Sequence, residues 1–358
     1  MPNRHDMMLY ARRCSESIRW FAPLALIALL ASPGRSDEPM VVRVGVQPTI
    51  TETVLYIGQQ RGFFKAEGFD VRFVPFDSSA NMIVPLSTGG LEVGGGAPAA
   101  GLYNAVGRGL EVRAVADLGS DAPGYGFQQL LVRPDLIKSG RYKTLKDLKG
   151  MNMAVVNPGV SVAPMLDQLL IKAGLTYNDV RRIQMPNPDK IPALKNGSID
   201  ATLLPEPNAS IAIKAGVAVK VMSDDEFYPD QQIGVLLYGT TFLKNHDAGV
   251  RFMRAYLRAA RLYNDSLQNG KLRGPQTAEI RAILSQETAV TDRSILTTMT
   301  LCRTNPDGHM NTASLNADFG FYKDQGLIEG QVRAQDIIDE SYVNDALKQL
   351  GPYARAKG

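Results

Sequence analysis

The chain has 358 residues, more than one hydrophobic core usually holds, so two lobes are expected. Hydrophobic residues at 44% and charged residues at 21% describe an ordinary globular protein, and a formal net charge of +3 is too small to mark a nucleic-acid surface. Much of the basic excess sits in Arg4, Arg12, Arg13 and Arg19, which leaves the body close to neutral.

The first segment reads as an export leader. A basic stretch ends at Trp20, an apolar run from Phe21 to Ala31 follows, and then come Gly34 and Ser36. The run is shorter than the roughly 20 residues a membrane-spanning helix needs. We expect a signal peptide over residues 1–36, cleaved near Ser36-Asp37, with Met7 or Met8 as alternative starts. No cysteine follows the run to carry a lipid. Cys14 lies in the leader, so the mature chain keeps Cys302 alone and has no internal disulfide and no paired-cysteine metal spacing.

From Met40 strands and helices alternate. Val41–Val46 reads as a buried strand, followed by a helix through Lys65 that Gly68 stops. Strand Phe69–Val74, a helix opened by Ser78-Ser79 and running to Thr88, and a short strand Leu91–Gly94 come next. A helix from Ala97 to Val106 and strand Val112–Ala116 complete a first unit with a mostly parallel sheet. The pattern restarts with strands Phe127–Val132, Asn152–Val156, Ile183–Met185, Asp200–Leu204 and Val217–Met222. Between them lie a short helix at Thr144–Leu148 and helices from Ser161 to Gly174, Asp189 to Asn196 and Pro205 to Ala215. Ile233–Tyr238 is one more strand, returning to the first unit. The remainder reads as almost wholly helical, over 247–267, 276–286, 292–300, 314–325 and 340–350.

Ligands of open α/β sheets bind beyond the carboxyl ends of the strands. The loops there are Gln47–Glu52, Asp77–Asn81 and Gly94–Pro98 in the first unit, and Asn157–Ser161 and Pro205–Pro207 in the second. Nearly all end in a capping residue or a proline at a helix start, so several helix N-termini could face one cleft and suit an anion. The glycines would let backbone come close. Catalytic chemistry is not indicated: His5, His246 and His309 are the only histidines and none lies in these loops. There is no Gly-x-Ser-x-Gly elbow, no metal triad, and Gly94-Gly95-Gly96 is followed by neither Lys-Ser nor Lys-Thr. Glu52 and Glu206 could serve as paired carboxylates, or simply as charges at the favourable end of a helix. No lysine or arginine lies in the loops, which points to neutral donors.

The stretch Tyr56-Ile-Gly-Gln-Gln-Arg-Gly-Phe-Phe-Lys-Ala-Glu-Gly-Phe-Asp-Val71 resembles one in periplasmic solute-binding proteins of ABC transporters, specifically the nitrate/sulfonate/taurine and thiamine-pyrimidine group. Leu86–Ala99, Leu145–Gly150, Leu194–Ala201 and Pro205-Glu206-Pro207 are similar to that group as well, and the resemblance spans about residues 40–270. It implies an α/β chain with the type II periplasmic-binding-protein fold: two α/β lobes joined by two crossover segments, with a helical C-terminal region. Lobe 1 would comprise 37–118 and 232–358, lobe 2 would comprise 119–231, and the crossovers would lie near 118–126 and 222–232. It implies a periplasmic, monomeric receptor, not an enzyme, which takes no cofactor and no metal. The receptor would hand a small anion (sulfonate, aminosulfonate or nitrate-like) to an inner-membrane permease driven by a cytoplasmic ATPase. The alternatives are a binder of a pyrimidine or other aromatic heterocycle, or a pyrimidine-biosynthesis enzyme of the same fold. By the same resemblance the ligand contacts are Gln47, Thr49, Glu52, Ser78, Ser79, Ala97, Asn157, Ser161 and Glu206. Tyr125 and Tyr228 of the crossovers would add walls or hydrogen bonds, or pack at the hinge.

Overall fold

The computed structural model describes residues 38–355 except Pro48, Ala289 and Thr291; the expected leader over 1–36 lies outside the described residues. The chain begins with β1 (Met40–Val46), α1 (Thr53–Gln60), α2 (Phe63–Ala66), β2 (Phe69–Pro75), α3 (Ile83–Thr88), β3 (Val93–Gly96), α4 (Ala100–Gly107) and β4 (Val112–Ser120). There follow β5 (Gln128–Val132), α5 (Pro134–Lys138), β6 (Asn152–Val155), α6 (Val162–Lys172), β7 (Arg181–Gln184), α7 (Asn187–Asn196), β8 (Ala201–Pro205), α8 (Asn208–Lys214) and β9 (Val219–Ser223). The last part holds β10 (Gln232–Gly239), α9 (Thr240–Lys244), α10 (His246–Ser266), β11 (Leu267–Gln268), β12 (Lys271–Leu272), α11 (Thr277–Glu287), α12 (Ile295–Thr298), α13 (Thr312–Asp324) and α14 (Ser341–Leu350).

Two five-stranded sheets result, in the orders β2-β1-β3-β10-β4 and β7-β6-β8-β5-β9. The expectation of mostly parallel sheets needs correction. In the first, β1 runs parallel to β2 and β3, but β10 runs antiparallel to both β3 and β4. In the second, β5 is antiparallel to β8 and β9. The strand that enters each sheet from the other half of the chain is therefore the one that reverses direction. Because β10 is inserted between β3 and β4, it is buried along its whole length, which explains its unbroken apolar run Ile233, Val235, Leu236, Leu237 and Tyr238. The chain passes between the sheets twice, over 121–127 after β4 and over 224–231 after β9.

Packing fixes the C-terminal helices onto the first sheet. The buried side of α10 carries Phe252, Met253, Tyr256, Ala259, Ala260 and Tyr263, at helical spacing. Phe252 stacks on Phe64 of α2 with ring centroids 4.5 Å apart. The tail is not wholly helical: β11 and β12 pair through Asn269-Gly270, both at positive φ, the dipeptide a tight hairpin favours.

Candidate functional site

The loops after β1, β2 and β3 form one surface at the carboxyl end of the first sheet. Gln47 Nε2 reaches the carbonyl of Asp77 at 3.5 Å, linking the first two loops. Ser78 caps the turn of 3-10 helix that precedes α3, accepting from the Ala80 N–H. Ser79 lies against the end of β3: a Cβ added at Gly96 would come within 2.3 Å of the Ser79 Cβ. Gly94, Gly95 and Gly96 thus belong to the strand and not to a loop, a correction with a packing reason. They carry no side chain because Ser79, Glu52, Leu86, Met82 and Leu118 occupy the space on the two faces of β3.

Glu52 is buried under this surface. Its Oε2 accepts from the hydroxyls of Thr49 and Thr51, each at 2.6 Å. Burial pushes its carboxyl up to about 7, against the opposing pull of those hydroxyls and of the Gln47 N–H. The group is an internal brace for the β1 loop. Thr49 and Ser161 make no side-chain cap to the helices they precede, contrary to the expected capping pattern.

The second sheet contributes the loop after β6. Asn157 is exposed, and its Oδ1 accepts from the Gly159 N–H at 2.8 Å, folding the loop on itself. The carbonyl of Gly159 then accepts from the N–H of Ala100, the first residue of α4, at 2.9 Å. Ser161 is buried, and its carbonyl accepts from Gln231 Nε2 at 2.9 Å. So Gln47, Thr49, Glu52, Ser78, Ser79 and Ala97 gather on one side. Asn157 and Ser161 meet them from the other through Ala100 and Gly159.

Glu206 directly follows the carboxyl end of β8, the strand beside β6. Its carboxylate accepts from the N–H and hydroxyl of Ser210 at 3.0 and 2.9 Å and from the Thr300 N–H at 3.4 Å. Burial raises it, with Ser210 pulling back. It serves the start of α8 and ties β8 to the segment after α12. Tyr228 is likewise committed: its hydroxyl donates to Asp318 Oδ1 on α13 at 2.7 Å. Gln231 Nε2 donates to Asp318 Oδ2 at 2.9 Å, so Asp318 joins α13 to the second passage and, through Gln231, to Ser161. Tyr125 is half-buried against the main core and makes a backbone turn bond to Ala122.

Sequence reasoning missed Lys190. It belongs to α7, not to a loop, and is wholly buried. Its Nζ donates to the Leu203 carbonyl at 3.1 Å, where Thr202 Oγ1 also donates, at 3.0 Å. Thr202 Oγ1 lies at 3.0 Å from the Ala154 carbonyl as well, so Lys190 is held against the middle of β8, beside β6. No described carboxylate pairs with it, and burial alone lowers it to about 7. A lysine inside an apolar helix face is the signal that could have revealed it, since such a group either pairs with an anion or sheds its proton.

The family model described as "NMT1/THI5 like" matches residues 50–265. A curated relative, the "Putative aliphatic sulfonates-binding protein" of Bacillus subtilis, is 26% identical over 91% of this chain and 96% of its own length. The periplasmic aliphatic sulphonate binding protein of Escherichia coli superposes with a TM-score of 0.64 at 19% identity, over 84% of this chain and 92% of that one. The periplasmic nitrate-binding protein of Synechocystis PCC 6803 gives a TM-score of 0.69 at 12% identity, over 90% and 93%. At these identities the two structures share the fold.

Proposed function

The chain belongs to the NMT1/THI5-like family, and from that premise we propose that it is the solute-binding receptor of an ABC importer, holding a small sulfonate or similar anion between its two lobes. In this reading lobe 1 comprises 37–118 with 232–358 and lobe 2 comprises 119–231. The receptor works outside the cytoplasm and releases its solute to a membrane permease.

The meeting of loops from both sheets at the Ala100–Gly159 bond carries the reading; no lysine or arginine lies among them, so neutral donors would hold the solute. A sulfonate supplies one negative charge over several acceptor oxygens, which the nearby hydroxyls and N–H groups of the loops can meet. The name of the Bacillus subtilis relative supports the same class. Heterocycle binding is less well served, because the Tyr228 hydroxyl is already bonded to Asp318.

A thermal-shift screen of alkanesulfonates, taurine, nitrate and pyrimidines tests this. An alkanesulfonate should stabilise the protein by about 2.7 kcal/mol at a hundredfold excess over its Kd, and Asn157→Ala should about halve the shift at the same concentration. Stabilisation by pyrimidines alone would overturn it.

A further inference from the structure

One helix touches both halves of the molecule. α13 lies beyond β10 in the chain, and two neighbouring stripes of its surface face different partners. Leu315, Phe319 and Tyr322, spaced four and three apart, share an apolar cluster with Tyr103 of α4. The ring centroid of Phe319 lies 5.0 Å from that of Tyr103, and that of Tyr322 lies 6.3 Å from it. The Tyr322 hydroxyl donates to the Pro98 carbonyl at 3.4 Å. This stripe anchors the helix on the first sheet's side.

The second stripe, Ser314, Asp318 and Phe321, leads away from that anchor. Ser314 Oγ accepts from the Gln232 N–H at 2.9 Å, at the start of β10. Asp318 accepts from Tyr228 and Gln231 of the second passage, and Gln231 also donates to the Ser161 carbonyl before α6. Phe321 ends the stripe against Tyr177, between α6 and β7, with ring centroids 5.2 Å apart and planes at 80°. The Arg182 guanidinium lies over the Tyr177 ring, 4.1 Å from its centroid. Phe321 is half-buried and packs against both of the larger apolar clusters, whereas Phe319, also half-buried, packs against one.

Resting on the two-lobe receptor reading, we propose that α13 is a strap anchored on lobe 1 that grips lobe 2 through the Phe321–Tyr177 contact, and that its grip sets how long a bound solute is held. When the lobes turn about the two passages as bodies, α13 stays with α4 while Tyr177 moves with the second sheet. The Phe321–Tyr177 contact is then one that parts on opening. An edge-to-face aromatic pair adds a modest, orientation-dependent attraction, enough to slow opening without locking it.

The test pairs Phe321→Ala with Phe319→Ala, the same residue type on the same helix facing different halves of the molecule. Release of butanesulfonate, followed by stopped-flow tyrosine fluorescence, should accelerate by roughly 3- to 10-fold in Phe321→Ala, the worth of one aromatic pair, and stay within about twofold of wild type in Phe319→Ala. Small-angle scattering of the unliganded proteins should find Phe321→Ala less compact than both wild type and Phe319→Ala. If Phe321→Ala does not fold, Tyr177→Leu removes the same contact from the other lobe and carries the same expectations. Equal release rates in the two variants, or equal compactness, overturn the strap. Failure of butanesulfonate to bind wild type overturns the sulfonate reading, while the scattering comparison still decides the strap.

Discussion

The N–H of Ala100 donates to the carbonyl of Gly159 at 2.9 Å, a single main-chain bond from the first residue of α4 to the loop after β6. It spends one free donor of a helix N-terminus on the opposite lobe instead of on a solute. Ala100→Pro removes that donor with little other cost. Proline suits the first helical position, and Ala99, at φ −87° and ψ 158°, already has the extended backbone that a residue before proline requires. The fold should survive, and the closed state should weaken by about 0.5–1.5 kcal/mol, the usual net worth of a hydrogen bond. Stopped-flow release of bound sulfonate should accelerate by roughly 2- to 10-fold. An unchanged release rate would show that the bond does not help hold the lobes.

Gly96 and Ser79 make a second linked pair. An added Cβ at Gly96 would lie 2.3 Å from the Ser79 Cβ. Gly96→Ala should therefore cost about 1–3 kcal/mol by overpacking. Ser79→Gly in the same chain should restore most of it, as measured by urea unfolding. The double variant should still bind sulfonate poorly, because the Ser79 hydroxyl is gone.

Buried groups set the pH dependence of stability. Glu52 and Asp318 are each raised by burial to about 7, and Asp117 to about 6. A raised acid holds its proton in the folded state and loses it on unfolding, so its contribution is full below the ordinary carboxylate range and is lost as pH rises toward 7. Lys190 is lowered to about 7. It is neutral when folded and charged when unfolded between about 7 and its ordinary value near 10.4, so its contribution grows across that window. Together they predict a minimum in unliganded stability near neutral pH. Chemical denaturation across about pH 5 to pH 9 checks this, and Lys190→Met should flatten the alkaline arm. A profile that peaks at neutrality would contradict both assignments.

Much of the architecture was legible in chain order because strand and helix periods differ, and Val42, Val44 and Val46 alternate inward as written. Strand direction was not legible. Whether Ile233–Tyr238 runs with or against its neighbours depends on where the chain re-enters the sheet, which no local pattern encodes. The β11–β12 hairpin falls between the expected helices 247–267 and 276–286, where Asn269-Gly270 marks it. Gly94-Gly95-Gly96 looked like a loop because glycine is the usual turn residue, and only the packing of Ser79, Glu52 and Leu118 gives it another reason. Loop residues such as Ser78 and Asn157 could be found by position after a strand. The burial of Lys190 was not legible that way, since α7 carries it onto the middle of β8.

Glu206 and Asn157 should separate by function. Glu206 accepts from Ser210 and Thr300 and has no bond to the loops gathered around Ala100 and Gly159. Glu206→Gln retains the shape but weakens charge-assisted bonds, so unfolding free energy should fall by about 1–2 kcal/mol. Sulfonate affinity should stay within twofold. Asn157→Ala should do the reverse. It is exposed, and its one bond shapes the turn whose carbonyl meets Ala100. Stability should change by less than about 1 kcal/mol, because the site is on the surface. Affinity should fall by roughly 10-fold or more, because the loop loses both its set conformation and a neutral donor for the anion. Isothermal titration and urea unfolding on the two variants decide the matter: if Glu206→Gln loses affinity while Asn157→Ala keeps it, the solute lies at α8 and not between Ala100 and Gly159.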